Sequence, residues 1–187
     1  MNVFIALYRG INVGGKNPVK MQSLRAMHER LGHLGVNSYI QSGNIVLSAN
    51  GSTEAIARKA AAEFLKEFGF AARVVVVEAK RWGTIVEGNP YAKFAAENPK
   101  TVHVGVCEGE PSAKGLKALL TKTGGSETFV IGKGIIYLHA PDGFGTSKFA
   151  AGMEKACGVP MTVRNWRTIE ALWKMAGAVD VGNTTSH

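Results

Sequence analysis

Glycines and a lysine that follow the first apolar segment form the pattern closest to known chemistry. Gly10, four residues, Gly15 and Lys16 match the phosphate-binding sequence G-x-x-x-x-G-K, but Asn17 stands where a serine or threonine would ligate magnesium. A P-loop also requires a parallel sheet of βαβ units, whereas hairpin signals in this chain favour antiparallel pairing. We therefore prefer the simpler interpretation that Gly10, Gly14 and Gly15 supply positive φ in a strand-to-helix loop.

Cations and amides around this loop favour a more general kind of site. Arg9, Asn12, Lys16 and Lys20 gather there, and a turn-forming role for the glycines does not explain them. Bare backbone amides, cations and a helix N-terminus together attract anions. The sequence thus predicts a site for a small phosphate- or carboxylate-bearing ligand, and its candidate residues are Arg9, Gly10, Asn12, Gly14, Gly15 and Lys16.

A second loop, Asp142–Lys148, also joins an apolar run to a helix start. Thr146 or Ser147 can cap that helix, which is the structural interpretation of the segment. Lys148 falls in the first helical turn, where the macrodipole disfavours a cation, and a bound anion would offset that cost. Gly145, Ser147 and Lys148 are therefore further candidate ligands.

The third candidate segment holds Arg164, Asn165 and Trp166. One interpretation is a helix capped by Asn165 with Trp166 in the core; the other is a cation, an amide and an indole that together bind a phosphate or stack on a base. Polar residues at a hairpin, Gln41, Ser42 and Asn44, add hydrogen-bonding groups. We expect this hairpin to lie at the opposite sheet end from the glycine loop, so that it meets only loops of the other half of the chain.

Histidines and cysteines give little support for a metal or a catalytic centre. His103 and His139 lie on strands predicted to be neighbours, but two histidines without a third ligand are a weak zinc signal. The two cysteines, Cys107 and Cys157, have no metal-type spacing, and we expect them to be buried and reduced in a cytoplasmic protein. We predict no metal site, and the sequence identifies neither catalytic residues, nor a cofactor, nor whether the protein is an enzyme.

The composition of the chain limits its partners. Its 187 residues carry a formal net charge of +8, which favours anionic partners such as small phosphorylated molecules or nucleic acid. The amino terminus lacks a signal-peptide pattern, and no apolar run approaches the ~18 residues of a membrane span. We therefore expect a cytoplasmic protein with no membrane partner.

Periodicity predicts the element order βαββαβ twice. The first copy is carried by the apolar runs Val3–Tyr8 and Arg73–Glu78 and by two helices between them. It also contains a hairpin at Ser42-Gly43, which joins the predicted strands Ser38–Gln41 and Asn44–Ser48. The second copy contains a hairpin at Gly132–Gly134. The predicted organisation is a first half over residues 1–79, a helical linker over 80–100, a second half over 101–163, a C-terminal helix over 164–177 and a flexible tail over 178–187.

This order predicts an α+β protein made of a tandem pair of ferredoxin-like units, with antiparallel or mixed sheets and an extra C-terminal helix. The first and fourth strands are apolar on both faces, so we expect the second sheet face to be covered by the other half or by a partner subunit. Trp82 and Trp173 are tryptophans expected to be exposed. They motivate a third function, a protein-interaction or oligomer-forming scaffold.

Four segments together resemble a bacterial family: Arg9–Gly15, Gln41–Asn44, Gly143–Lys148 and Arg164–Thr168. The chain resembles domain-of-unknown-function family 1697 from about Met1 to Ala176. The resemblance implies a cytosolic α+β protein of two ferredoxin-like halves and implies no activity, so no catalytic residue is taken from it.

Three functions remain open. The first is binding of a small anionic ligand at the glycine and lysine loops. The second is nucleic-acid binding, although the third strand, Asn44–Ser48, lacks the aromatic pattern of RNA-recognition modules, and a covered sheet face would leave no stacking platform. The third is an interaction module, as a monomer or a homodimer.

Overall fold

The computed structural model describes residues 1–179, so most of the tail predicted over 178–187 lies outside the described residues. Two compact units are present: Met1–Glu87 together with residues 171–179, and Gly88–Glu170. The described residues form two four-stranded antiparallel sheets and seven helices, an α+β fold. None of the described helices has the length and apolar character needed to cross a bilayer.

The first unit contains one sheet and three complete helices. Its elements are β1 (Asn2–Arg9), α1 (Met21–Arg30), β2 (Leu34–Tyr39), β3 (Asn44–Ala49), α2 (Thr53–Phe68), β4 (Arg73–Glu78) and α3 (Ala79–Glu87). The strands lie in the order β2-β3-β1-β4, and all neighbours are antiparallel. An antiparallel sheet lacks the parallel βαβ crossovers of a P-loop ATPase, which excludes that interpretation of the glycine loop.

Strand β1 is buried on both faces, as its uninterrupted apolar sequence predicts. Phe4, Ala6 and Tyr8 belong to the core that includes Leu24 of α1 and Phe64 of α2. On the other face Ile5 and Leu7 are also fully buried. We expected the other half or a partner subunit to cover this face; α3 of the same unit packs against β1 and β4.

The tryptophan of α3 is part of that cover. Trp82 is fully buried, so the expectation that it is exposed was wrong. Trp173, also in the first unit, lies against the next residue of this helix: a Cβ added at Gly83 would come within 2.8 Å of the Trp173 indole. The glycine therefore allows the indole to approach the helix backbone. Trp82 is therefore part of the internal packing rather than of a docking surface, whereas Trp173 is half-buried.

The second unit repeats the strand order as β6-β7-β5-β8. Its elements, including the helix that begins here and continues into the first unit, are α4 (Ala92–Glu97), β5 (Val102–Cys107), α5 (Ala113–Thr123), β6 (Thr128–Gly132), β7 (Ile135–His139), α6 (Lys148–Cys157), β8 (Met161–Asn165) and α7 (Trp166–Ala178). Leu116, Leu138, Phe149 and Met153 pack in its core, together with the two free cysteines.

Candidate anion-binding site

The loop between β1 and α1 is a miniature hairpin rather than a phosphate cradle. The Lys16 N–H donates to the Val13 carbonyl at 3.0 Å, and the Asn12 N–H donates to the Asn17 carbonyl at 3.0 Å. Gly14 and Gly15 form the turn with φ of 56° and 74°. Gly10 also has positive φ, which confirms the conformational role predicted for these glycines. Because the loop uses these two amides internally, they do not converge on a guest.

Asn12 organises the loop from its centre. Its backbone is left-handed, with φ of 54°, a conformation that asparagine tolerates better than most residues. The side-chain Oδ1 accepts from the Val19 N–H at 2.7 Å, while Nδ2 donates to the Val19 carbonyl at 2.9 Å and to the Gln41 carbonyl at 2.7 Å. One side chain therefore ties both ends of the loop to the β2–β3 turn.

The β1–α1 loop and the β2–β3 turn lie at the same sheet end, so the expectation that they lie at opposite ends was wrong. Strands β1 and β2 are both antiparallel to β3, and they therefore run in the same direction. Their carboxyl ends meet at one edge, where the Tyr8 N–H donates to the Gly43 carbonyl at 2.8 Å. The two loops can therefore form one site within the first unit.

A groove of about 590 Å³ lies where these loops meet the start of α1. It contains two basic side chains and three amide side chains among its lining residues, which are Asn12, Pro18, Val19, Lys20, Met21, Gln22, Arg25 and Gln41. The N-cap of α1, Lys20, makes no side-chain capping hydrogen bond, and the first turn carries no acidic residue. The positive end of the helix dipole therefore adds to the two cations.

Besides Gln22, the sequence analysis missed one cation of this groove, Arg25. It follows Met21 by four residues, so it lies one helical turn further along the same face of α1. Its Nη1 donates to the Ser38 hydroxyl at 2.6 Å. Helical spacing from Lys20 and Met21 was the available signal, but the sequence did not show which face of α1 meets the loop.

Other predicted residues of this end lie outside the groove lining. Arg9, Gly10, Gly14, Gly15 and Lys16 are exposed on the loop. The hairpin residues Ser42 and Asn44 have a structural arrangement. Asn44 is fully buried, and its Nδ2 donates to the Tyr39 carbonyl at 3.1 Å and to the Ser42 hydroxyl at 2.8 Å.

The turn beside the groove is strained at Ile40. This residue has φ of 47° although its side chain is β-branched, and it is 53% exposed. Left-handed backbone is unfavourable for such residues and is often found at functional sites. Ile40 directly precedes Gln41, whose carbonyl accepts from Asn12. The strained residue thus lies directly beside a groove residue.

The second predicted loop has a capped helix and a carboxylate beside it. Ser147 caps α6, as predicted, because its Oγ accepts from the Ala150 N–H at 2.9 Å. The same hydroxyl donates to the carboxylate of Glu127. That negative charge lies at the positive end of α6 and complements the dipole there. Gly145 and Lys148 are exposed.

The third segment adopts the structural arrangement. Asn165 caps α7 by accepting from the Thr168 N–H at 3.0 Å, and Trp166 is buried. Arg164 Nη1 donates to the Val163 carbonyl at 3.0 Å. Desolvation by burial lowers the pKa of the Arg164 guanidinium to about 10. Arg164–Trp166 and the groove residues belong to different units.

The two strand histidines face opposite sides of the second sheet. His103 pairs with Leu138, and His139 pairs with Val102, which directly precedes His103 in β5. Paired residues share a face of the sheet, and successive residues of a strand point to opposite faces. His103 stacks on Phe144 with ring centroids 4.3 Å apart, and burial lowers the pKa of its imidazole to about 4. His139 stacks on Phe94 at 4.0 Å. Over residues 1–179, no group of three or more His, Cys, Asp or Glu side chains is arranged to hold a metal.

Comparison with known proteins agrees with this α+β architecture. Residues 1–137 match the family described as protein of unknown function (DUF1697), and the chain belongs to that family. The solved structure of the conserved bacterial protein SP0830 from Streptococcus pneumoniae is similar, with a TM-score of 0.69 and 24% sequence identity. The similarity covers 94% of this chain and 98% of that one. No curated protein matches the sequence.

Proposed function

We propose that the protein binds a small phosphate- or carboxylate-bearing ligand in the groove at the start of α1. The observation that carries this proposal is the convergence of Lys20, Arg25 and the N-terminus of α1, which has no side-chain cap, on one groove. A helix N-terminus offers N–H donors and positive potential, and a guanidinium adds a planar fork that matches an oxyanion.

The size and the polar lining of the groove support a small organic ligand. Its volume of about 590 Å³ lies within the range of roughly 300–1,000 Å³ that is typical of small-molecule sites. The amide side chains of Gln22 and Gln41 stand beside the cations as neutral donors and acceptors. The anionic part of the ligand would lie at Lys20 and Arg25, and its neutral part would lie toward the glutamines.

We also propose that each unit is a ferredoxin-like fold. The support is the same strand order in both sheets, with the first strand of each unit between the third and the fourth. In this proposal the halves span residues 1–79 and 101–163, and residues 80–100 connect them. The free, buried state of both cysteines supports a reducing, cytoplasmic location.

Nucleic-acid binding through a sheet surface has less support. RNA-recognition modules stack bases on an open sheet face, whereas Ile5 and Leu7 are fully buried on the face against which α3 packs. An anion groove does not depend on such a face. The two functions are separated by whether binding requires an oligonucleotide or a small anion.

Calorimetric titration with a panel of inorganic phosphate, sugar phosphates, nucleotides and dicarboxylates tests the proposal. At least one member should bind, and Lys20→Met and Arg25→Met should each weaken it by about tenfold or more, since a charge-assisted contact contributes about 1.5–3 kcal/mol. Arg30→Met is the matched control on α1, because Arg30 pairs with Glu67 and does not line the groove.

Three outcomes would overturn the proposal. The first is that no small anion binds. The second is that Arg25→Met and Arg30→Met weaken binding equally, and the third is that binding is lost in Lys16→Met or Lys148→Met while Arg25→Met retains it. Selective binding of mixed oligonucleotides that weakens steeply with salt would instead favour the nucleic-acid alternative.

A further inference from the structure

Three aromatic and imidazole side chains form a buried hydrogen-bonded chain in the first unit. The Tyr8 hydroxyl lies 2.9 Å from His28 Nε2, and His28 Nδ1 lies 2.9 Å from His33 Nδ1. Tyr8 is 1% exposed, His28 is 0% exposed and His33 is 6% exposed. Burying a polar group is costly unless it is hydrogen-bonded, and these two contacts give each of the three side chains a hydrogen-bonding partner.

The end of α1 brings the two histidines together. Gly32 has φ of 81°, and its N–H donates to the Glu29 carbonyl at 2.9 Å. The His33 N–H then donates to the His28 carbonyl at 3.2 Å. This pair of bonds is a Schellman motif, which folds the chain back over the last helical turn. The imidazole of His33 is thereby returned to the imidazole of His28.

His33 lines a pocket of about 240 Å³ at the sheet end opposite the groove. Ala49 of the lining is paired with Asn2, the first residue of β1, whereas the groove lies beyond the last residue of β1. Lys59 of α2 is also in the lining, which includes Leu31, Gly32, Asn50 and Gly51. Since His33 Nδ1 is paired with His28, Nε2 is the ring nitrogen that remains for a ligand.

The hydrogen bond between the two Nδ1 atoms couples the proton positions of Tyr8, His28 and His33. Only one of the two nitrogens carries the proton, so the tautomers of His28 and His33 are coupled. When His33 becomes an imidazolium, its Nδ1–H donates to His28 and its Nε2–H becomes a donor toward the pocket. His28 then carries its proton on Nε2 and donates to the Tyr8 oxygen.

We propose that this pocket is a second binding site, for a small oxyanion held between the Lys59 ammonium and the His33 imidazolium. The site is distinct from the groove at Lys20 and Arg25 and does not depend on it. The end of α1 also favours a cation at His33, because the C-terminus of a helix carries partial negative charge. The imidazolium form of His33 would offer the ligand a charged Nε2–H donor, whereas the neutral ring would offer either an acceptor or an uncharged donor at Nε2, according to its tautomer.

Protonation and binding are linked at this site. The groups that act on His33 are His28 from α1, Tyr8 of β1 through His28, and Lys59 of α2. Met1, which carries the terminal amino group, also lines the pocket. Burial, and then the charge of Lys59, lower the pKa of the His33 imidazole. An anion beside both groups offsets these causes, so binding must raise that pKa and must strengthen as the pH falls.

Imidazole NMR spectra recorded with sodium sulfate test the proposal, because sulfate keeps its charge between about pH 5 and pH 8, where histidine titrates. Saturating sulfate should shift the His33 resonances and raise the His33 pKa by about one unit, equivalent to about tenfold tighter binding by the imidazolium than by the neutral ring. Lys59→Met should abolish this response.

Two control variants separate the two sites. Lys66→Met changes a lysine of α2 that pairs with Glu63 and does not line the pocket, and it should leave the response unchanged. Arg25→Met should also leave it unchanged, whatever its effect on ligands of the groove. The proposal is overturned if sulfate leaves His33 unaffected, or if Lys59→Met and Lys66→Met respond alike.

Discussion

The side-chain amide of Asn12 donates a 2.7 Å hydrogen bond to the backbone carbonyl of Gln41, which joins the β1–α1 loop to the β2–β3 turn. The two residues are separated by α1 and β2 in the sequence. Both line the groove beside Lys20 and Arg25. The shape of the proposed anion site therefore depends on one neutral side chain that holds two loops in place.

Replacement of Asn12 by Ala should destabilise the first unit by about 2–4 kcal/mol, because three hydrogen bonds are lost and alanine is strained in left-handed backbone. Urea denaturation measures this loss. Asn37→Ala is the control: its Nδ2 donates only to Gly35, two residues away, and the residue is exposed. That variant should stay within about 0.5 kcal/mol of the parent protein. Equal effects of the two substitutions would contradict the organising role of Asn12.

Gly43→Ala should be more destabilising than Gly69→Ala, although both glycines have nearly the same backbone, with φ of 73° and 77°. A Cβ at Gly43 would lie 2.7 Å from Ile11 Cδ1 and from Tyr8 Cβ, whereas a Cβ at Gly69 would meet nothing within 4 Å. Gly69→Ala thus measures the conformational cost, about 1 kcal/mol, and Gly43→Ala adds about 1–3 kcal/mol of overpacking. Chemical denaturation of both variants gives the difference, and equal losses would refute the close packing at the turn.

Ile40→Asn should stabilise the protein by up to about 1 kcal/mol, because asparagine tolerates the left-handed backbone that strains isoleucine. Little apolar burial is lost, since Ile40 is 53% exposed. Val13→Asn is the matched control, because Val13 is a β-branched residue of the adjoining loop, is 64% exposed and does not have positive φ. Thermal melts should show an increase only for Ile40→Asn. A lower melting temperature for this variant would mean that the isoleucine side chain contributes more than its conformation costs.

The elements that form the sheet centres were predictable because their apolar runs are continuous. Strand β1 and the positive φ of Gly14 and Gly15 follow directly from residue type. The edge strand β2 was predicted four residues late, at Ser38–Gln41 instead of Leu34–Tyr39. An edge strand is largely exposed, and this one has a register irregularity between Leu34 and Asn37, so it lacks the alternation that marks a half-buried strand.

The candidate site was only partly predictable, for a topological reason. The sequence indicated that the β1–α1 loop is rich in glycine and cations. It did not show that the β2–β3 turn meets this loop, because that relation depends on the direction of β2 relative to β1. Arg25 was missed for a similar reason, since the groove-facing side of α1 is set by tertiary packing. The link between His28 and His33 required the geometry that Gly32 gives to the helix end.

His28 should make the stability of the protein sensitive to acid. Burial, and then the charge of His33, lower the pKa of the His28 imidazole from 6.5 to about 3 in the folded protein. The unfolded chain therefore binds a proton more readily than the folded chain below the ordinary pKa. The free energy of unfolding therefore keeps its full value above pH 6.5 and decreases progressively as the pH falls from 6.5 toward 3.

Glutamine does not titrate in this range, so the free energy of unfolding of His28→Gln should fall less steeply with decreasing pH than that of the parent protein. The two slopes should differ by about 1 kcal/mol per pH unit. Urea denaturation at several pH values between about 4 and 7 measures both slopes, and any constant loss of packing appears only as an offset. Tyr8→Phe is the companion variant: it removes the hydroxyl beside His28 but keeps the titrating ring, and it should retain the steep slope. Parallel curves for the parent protein and His28→Gln would show that His28 becomes protonated without unfolding, which contradicts its burial in the core.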